Sequence, residues 1–378
     1  LPAVTYLEET LLMTEIFNST ELRRELHPLA ELGLNTKNTA QYVLDHLEKI
    51  GVEAHRVGNT NGVLGVIDSG VPGPTVMLRA DMDALPFEVD GKKTAIHACG
   101  HDGHTAMLLE AASRLVGNIK KGKLKLLFQP AEETLEGANV MIKEGVLDGV
   151  DYLVGAHVRP IQDLEVGTLC PAVNHTASCP CDIYIHGKSA HASRPHLGIN
   201  SIYVGTAIVN AISQIQLPPN MAWSVKPTQF DANDGALNII PASAHLGIDM
   251  RAQTTELMKQ LIEEVRRAAE SSAAAFGATV EVKFATLCPA ANYDPEITDE
   301  LAECIREVAG DDKLAPACGG GGEDFHFYKI ARPEMKNGYF GVGVGVTPGL
   351  HKQNMAFDDK LLPLGAAVFV KFALRHLG

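Results

Sequence analysis

His97-Ala98-Cys99-Gly100-His101-Asp102-Gly103-His104 places three imidazoles, a thiol and a carboxylate within eight residues, with two glycines that let the backbone bend tightly. Cys99 and His101, two apart, can turn toward one centre where the chain between them is not helical. A thiolate with an imidazole suits a borderline divalent ion, Zn²⁺ first, with Mn²⁺, Co²⁺ or Ni²⁺ as alternatives. A buried thiol beside surface histidines is the plain alternative for the octet alone, and the rest of the chain weighs against it.

Carboxylates recur where strands should end. The run at residues 75–79 predicts a strand that feeds Arg79-Ala80-Asp81-Met82-Asp83. Two aspartates two apart at a strand end point the same way, a placement suited to binding a metal or orienting its ligands. Residues 123–129 predict a strand running into Pro130-Ala131-Glu132-Glu133. Adjacent carboxylates past a strand should point to different sides, so one can bind metal while the other moves protons. Residues 152–156 predict a short apolar strand ending in His157. Three successive strand ends therefore carry Asp81/Asp83, Glu132/Glu133 and His157, and sites in α/β sheets form at the carboxyl ends of strands.

The elements around them follow from periodicity. Helices are expected at 6–31, 37–50 and 105–116, and a strand at 61–67. From residue 176 the order becomes strand 179–186, helix 200–214, strands 222–230 and 242–251, helix 255–276 and strand 279–284. That β-α-β-β-α-β order is ferredoxin-like and predicts an inserted α+β domain at 175–286. It divides a discontinuous α/β catalytic domain formed by 1–174 and 287–378. The latter part holds helix 298–309, the glycine run Gly319–Gly322, strand 338–346 and helix 362–377.

Further residues look chemical. His191 lies in Gly187-Lys188-Ser189-Ala190-His191-Ala192, a small-residue loop, although lone loop histidines are ordinarily exposed bystanders. Asn238 and Arg251 also have ordinary readings, a turn amide and a strand-end surface charge. Glu323-Asp324-Phe325 follows four glycines, and His351, after Thr347-Pro348-Gly349-Leu350, can close a metal cage or simply occupy a surface turn. Cys179-Pro180-Cys181 reads as structural thiols in a strand or, less simply, as a second metal or redox pair.

Composition narrows the partners. At 378 residues the chain is long for a single core, so two domains are expected. A net charge of −14 without a Lys/Arg-rich block speaks against nucleic acid or an anionic membrane as partner. No apolar run approaches the ~18 residues of a membrane span. Seven scattered cysteines suit a reducing compartment better than a disulfide framework. The stretch Leu1–Phe17 has glutamates but no basic residue, unlike a signal peptide. A cytoplasmic protein is expected.

Together these segments resemble metallopeptidase family twenty, the aminoacylase and carboxypeptidase group. Its amidohydrolase branch, with hippurate hydrolases, N-acyl-amino-acid amidohydrolases and auxin-conjugate hydrolases, is the most similar. The resemblance rests on RADMDALP at 79–86, HACGHDGHTAMLL at 97–109, FQPAEE at 128–133, GAHV at 155–158, HGKSAHASRPH at 186–196, LNIIPA at 237–242 and GGEDF at 321–325. It implies a zinc-peptidase-like fold, with a mixed central sheet flanked by helices. It implies metal ligands at Cys99, His101, Glu133, His157 and His351, holding two divalent ions with the Cys99 thiolate between them. Glu132 would be the general base and Asp83 a residue close behind the ligands. His191 and Asn238 would be the insert's contribution to the substrate carbonyl, in a homodimer formed through the insert. Departures surround the pocket: Thr134-Leu135-Glu136 after FQPAEE, Ala192-Ser193-Arg194 after His191, His326-Phe327, and Lys352-Gln353 after His351.

The expected reaction is hydrolysis of the amide of an N-acyl amino acid or similar small conjugate, with Arg251 or Arg194 as a fork for a substrate carboxylate. Rival readings are a dipeptidase or aminopeptidase and an inactive binding module. A phosphate-binding role for Gly319–Gly322 fails, because no Lys-Ser/Thr follows at P-loop spacing.

Overall fold

The computed structural model describes residues 16–378. The chain divides into two compact units, one running up to Ala172 with Tyr293–Cys318 and Arg332–Gly378, the other Val173–Asn292 with Gly319–Ala331. The segment Gly319–Ala331, placed by the sequence reading in the discontinuous catalytic domain, thus groups with the second unit.

The first unit is an α/β layer structure around a mixed seven-stranded sheet. In spatial order the strands are Glu53–Arg56, Val63–Asp68, Lys123–Gln129, Thr75–Asp81, Tyr152–Pro160, Lys336–Val346 and Leu169–Cys170. The central four run parallel and the outer pairs antiparallel. The parallel strands read as near-continuous apolar runs because helices cover them. Helices Lys37–Lys49, His101–Leu115, Pro295–Ala309 and Leu362–Leu377 bury Val43, Leu47, Leu108, Leu301, Phe369 and Phe372 in one core with Leu78, Leu126 and Val154. Each fully buried Leu or Phe there contributes roughly 1.5–3 kcal/mol.

Several expected boundaries move. The first helix is only Ser19–Leu26, because Asn18 caps it by accepting the Thr20 N–H; residues 6–15 of the expected helix lie outside the described ones. The strand expected to end before His157 continues to Pro160, so His157 is inside it. A hairpin, Leu85–Val89 with Lys92–Ile96, was not expected.

The second unit carries strand Cys181–His186, helix Ser201–Ser213, strands Trp223–Asp231 and Ser243–Ala252, helix Thr255–Ala275 and strand Thr279–Phe284. In space the strands lie Thr279–Phe284, Cys181–His186, Ser243–Ala252, Trp223–Asp231, with every neighbour antiparallel. Asn200 and Thr254 cap the two helices through the Ile202 and Leu257 N–H groups. Val204, Ile208 and Ile212 from one helix and Leu257, Leu261 and Val265 from the other form a separate core with Ile183, Ile185, Leu246 and Ile248.

Candidate metal centre

Gly100 makes the octet a site. Its φ of 88° is left-handed, and a Cβ there would sit 2.5 Å from Val158 Cγ2. Only glycine fits. Its carbonyl accepts the Gly103 and His104 N–H groups, so the helix starts at His101 and not at residue 105 as the sequence suggested. Cys99 thereby ends a loop and His101 opens a helix, with the non-helical residue between them that a shared centre needs.

The parallel strands bring the remaining donors to the same level. The last paired row of Thr75–Asp81 and Tyr152–Pro160 is Arg79 with Gly155, and two residues further on come Asp81 and His157. Cys99 Sγ is 3.4 Å from His157 Nε2. His157 Nδ1 donates to the Val158 carbonyl at 2.5 Å, which leaves the Nε2 lone pair facing the thiol. His101 Nδ1 donates to the Asp83 carbonyl at 2.9 Å, so its Nε2 is the free donor atom.

Two carboxylates face that nitrogen. Glu132 Oε2 lies 3.8 Å and Glu133 Oε1 3.9 Å from His101 Nε2. The expectation that adjacent carboxylates point apart is therefore corrected. The strand ends at Gln129, and Ala131, at φ 60°, turns the chain so that both acids converge. Glu133 Oε2 is also 3.6 Å from the half-exposed His351 ring, whose backbone N–H is anchored on the Ala98 carbonyl at 2.7 Å.

These atoms form two triplets that share one residue. Cys99, His101 and His157 make one, and Cys99, Glu133 and His351 the other, with donor atoms within 4.8 Å of one another in each; His101, Glu132 and Glu133 form a further triplet of the same size. Among the described residues, His101 Nε2 and Glu133 Oε1 are buried without a hydrogen-bond partner. A buried polar atom left unpaired costs about 1–3 kcal/mol, and this set of sulfur, imidazole and carboxylate donors fits a borderline divalent ion. The shared thiol fits two.

Burial sets the electrostatics of the cluster. It pushes the Cys99 thiol up, reinforced by the Glu133 carboxylate, and it raises Glu133 as well. Burial, with His104 and Arg159 nearby, lowers His157. Burial also opposes charge on His101, yet Asp81 and Cys99 outweigh it and hold that imidazole well above its usual range.

Behind the donors lies a polar framework that sequence reasoning only partly saw. Asp83 Oδ1 accepts the Glu132 N–H and Oδ2 the Glu133 N–H. Arg79, fully buried, bonds Gln129 and Asp81. Asp81 bonds His104 Nδ1 at 2.6 Å, and His104 Nε2 accepts the Val158 N–H at 2.9 Å, which holds His104 in place as a positioning group. His27 and Arg23 hold Asp102, at 2.6 and 3.0 Å; burial works against that carboxylate's charge, but these partners and His97 bring it to about 2. The paired spacing of Asp81 with Asp83 and His101 with His104 was the available signal.

The second unit places His191 and Asn238 side by side. Ala190–His191 pairs with Ile239–Ile240, and the Ala192 N–H donates to the Asn238 carbonyl. His191 is exposed, and its Nδ1 accepts the Ser193 N–H at 3.1 Å, so the ring proton sits on Nε2. Arg251 spends its fork on Asp249 of its own strand, whereas Arg194 is exposed in the His191 loop. Cys179 and Cys181 are buried thiols that burial pushes up to about 11 and about 12, as structural cysteines should be.

Comparison with known proteins gives one answer. The sequence pattern described as Peptidase family M20/M25/M40 matches residues 77–375. Thermostable carboxypeptidase 1 of Saccharolobus solfataricus is 34% identical over 94% of each chain. The hippurate hydrolase of Campylobacter jejuni is 31% identical over 94% of this chain and 96% of its own. A dinuclear metal-binding peptidase of the M20 family from Bacillus subtilis superposes with a TM-score of 0.78 at 28% identity, over 95% of this chain and 97% of its own.

Proposed function

The chain belongs to peptidase family M20/M25/M40, and from that membership we propose a metal-dependent amidohydrolase that cleaves the amide of N-acyl amino acids or related small conjugates. The observation that carries the metal assignment is the pair of donor triplets joined at Cys99. Carboxypeptidase and hippurate hydrolase names describe one chemistry, because the scissile nitrogen in each belongs to an amino acid with a free carboxylate. Arg194 is the better fork for that carboxylate, since Arg251 is engaged by Asp249.

Cys99, His101, His157, Glu133 and His351 would hold two ions, Mn²⁺ or Zn²⁺. Such ions supply acidification of water toward a pKa of ~7 and polarisation of the substrate carbonyl. Glu132 takes the proton from the attacking water and returns it to the leaving nitrogen, a shuttle suited to a carboxylate that is mostly desolvated. Asp83 holds the peptide of Glu132 still while this happens. His191 Nε2–H donates to the carbonyl oxygen as negative charge grows there, with Asn238 beside it.

Residues 175–286 would act as a ferredoxin-like lid and as the dimer contact of a cytoplasmic enzyme. The strand Trp223–Asp231 pairs on one side only among the described residues, and Phe230, Tyr203 and Ile202 are exposed near it. Sedimentation of the whole chain as a monomer at micromolar concentration would remove the dimer.

The activity is tested by loading the protein with Mn²⁺ or Zn²⁺ and assaying N-benzoyl- and N-acetyl-amino acids beside free dipeptides. Hydrolysis of the acylated set, abolished by chelation, is expected. Cleavage of dipeptides alone would favour a dipeptidase, and no cleavage by loaded protein would favour a binding module.

A further inference from the structure

The first unit holds a pair of thiols apart from the metal centre. Cys170 ends strand Leu169–Cys170, Cys318 opens strand Cys318–Gly320, and their Sγ atoms lie 3.4 Å apart. Gly341 pairs with His157 on one side and with Cys170 on the other, so the thiols are about two strand spacings, roughly 10 Å, from the ligand row. Their place in the chain is specific. Cys170 comes two residues before Ala172 and Cys318 is itself the last residue of its segment, and both segments leave the first unit for the second at those points.

We propose that Cys170 and Cys318 form a reversible dithiol–disulfide couple, oxidised by hydrogen peroxide and reduced by small dithiols. The Cys318 thiolate attacks one peroxide oxygen; an S–O bond forms, the O–O bond breaks, and the departing hydroxide takes a proton to become water. Cys170 then attacks the sulfenic sulfur; the S–S bond forms, the S–O bond breaks, and a second water leaves. Two thiols lose two electrons and two protons, and one peroxide becomes two waters.

Cys318 is the attacking thiol for two reasons. It is the more accessible of the two, 7% exposed where Cys170 is fully enclosed. The Cys170 sulfur beside it at 3.4 Å, with the Arg159 guanidinium nearby, also outweighs burial and brings the Cys318 thiol down to about 7. Oxidation ties both exits of the first unit to one point and closes the loop between them, which constrains the unfolded chain.

The test uses the metal-loaded full chain, treated with peroxide as loaded and then unfolded in chelator before alkylation so that every thiol is counted. After peroxide treatment, alkylation and peptide mapping should show one linked pair joining the Cys170 and Cys318 peptides and a loss of two of the seven free thiols, restored by dithiothreitol. The oxidised form should melt several degrees higher. Cys170→Ser should accumulate a dimedone-reactive sulfenic acid at Cys318, while Cys304→Ser behaves as wild type. Seven alkylatable thiols after peroxide, or a linkage between any other pair, would overturn the couple. These readouts on unsubstituted protein do not depend on any variant folding. Sulfenic acid on Cys170 in Cys318→Ser, with none on Cys318 in Cys170→Ser, would overturn the order of attack.

Discussion

One carboxylate, Asp83, receives the backbone N–H groups of Glu132 and Glu133 together, at 3.0 and 3.2 Å, while its own carbonyl accepts His101 Nδ1–H. A residue 49 positions away thus sets the peptide that carries both acids and the tautomer of the imidazole they face. Asp83→Asn keeps one acceptor but turns an amide N–H toward the second donor. Turnover should fall about 10–100-fold, while His101 keeps its carbonyl partner. Steady-state kinetics beside metal titration check this; wild-type turnover would remove Asp83 from the site.

The Arg79–Asp81–His104 chain ends on the Val158 N–H, next to His157. His104→Ala should loosen His157 and weaken metal affinity about 10–100-fold. Competition titration with a chromogenic chelator reads that loss directly. Unchanged affinity in a folded variant would mean that the chain merely fills space.

Among the described residues His191 belongs to none of the candidate metal clusters, so His191→Ala should keep full metal content. Its kcat should fall about 10²–10³-fold, the usual loss for one oxyanion donor. If the residue serves the partner subunit's site, mixing Glu132→Gln with His191→Ala subunits should restore part of the activity. An unchanged kcat would take His191 out of the mechanism.

The lowered Cys318 thiol gives a pH signature. Because the thiolate persists to lower pH than usual, the rate of disulfide formation should reach half its maximum near pH 7 and drop about tenfold per unit below that. Removing the neighbouring sulfur in Cys170→Ala should move Cys318 alkylation up toward the ordinary range near 8.5. A midpoint already there in wild type would mean that Cys170 does not stabilise the thiolate.

Local patterns made much of the first unit's sheet and the second unit's β-α-β-β-α-β order legible, since apolar runs such as Lys123–Gln129 and Thr279–Phe284 announce themselves. What stayed hidden depends on distance along the chain. His157 and Arg159 are polar yet buried, so the strand seemed to stop before them. Ala131 takes a left-handed turn without being glycine, and no local signal told that Glu132 and Glu133 converge. Asp81 meets His104 across 23 residues and Cys170 meets Cys318 across 148, contacts made only by sheet order and helix packing.

The division of labour between the two adjacent acids is tested most directly by metal content and turnover in Glu132→Gln and Glu133→Gln, measured on the same loaded preparations. Glu132→Gln should retain wild-type metal and lose turnover by several orders of magnitude, whereas Glu133→Gln should lose metal from the triplet with Cys99 and His351. Full metal in Glu133→Gln together with metal loss in Glu132→Gln would contradict it.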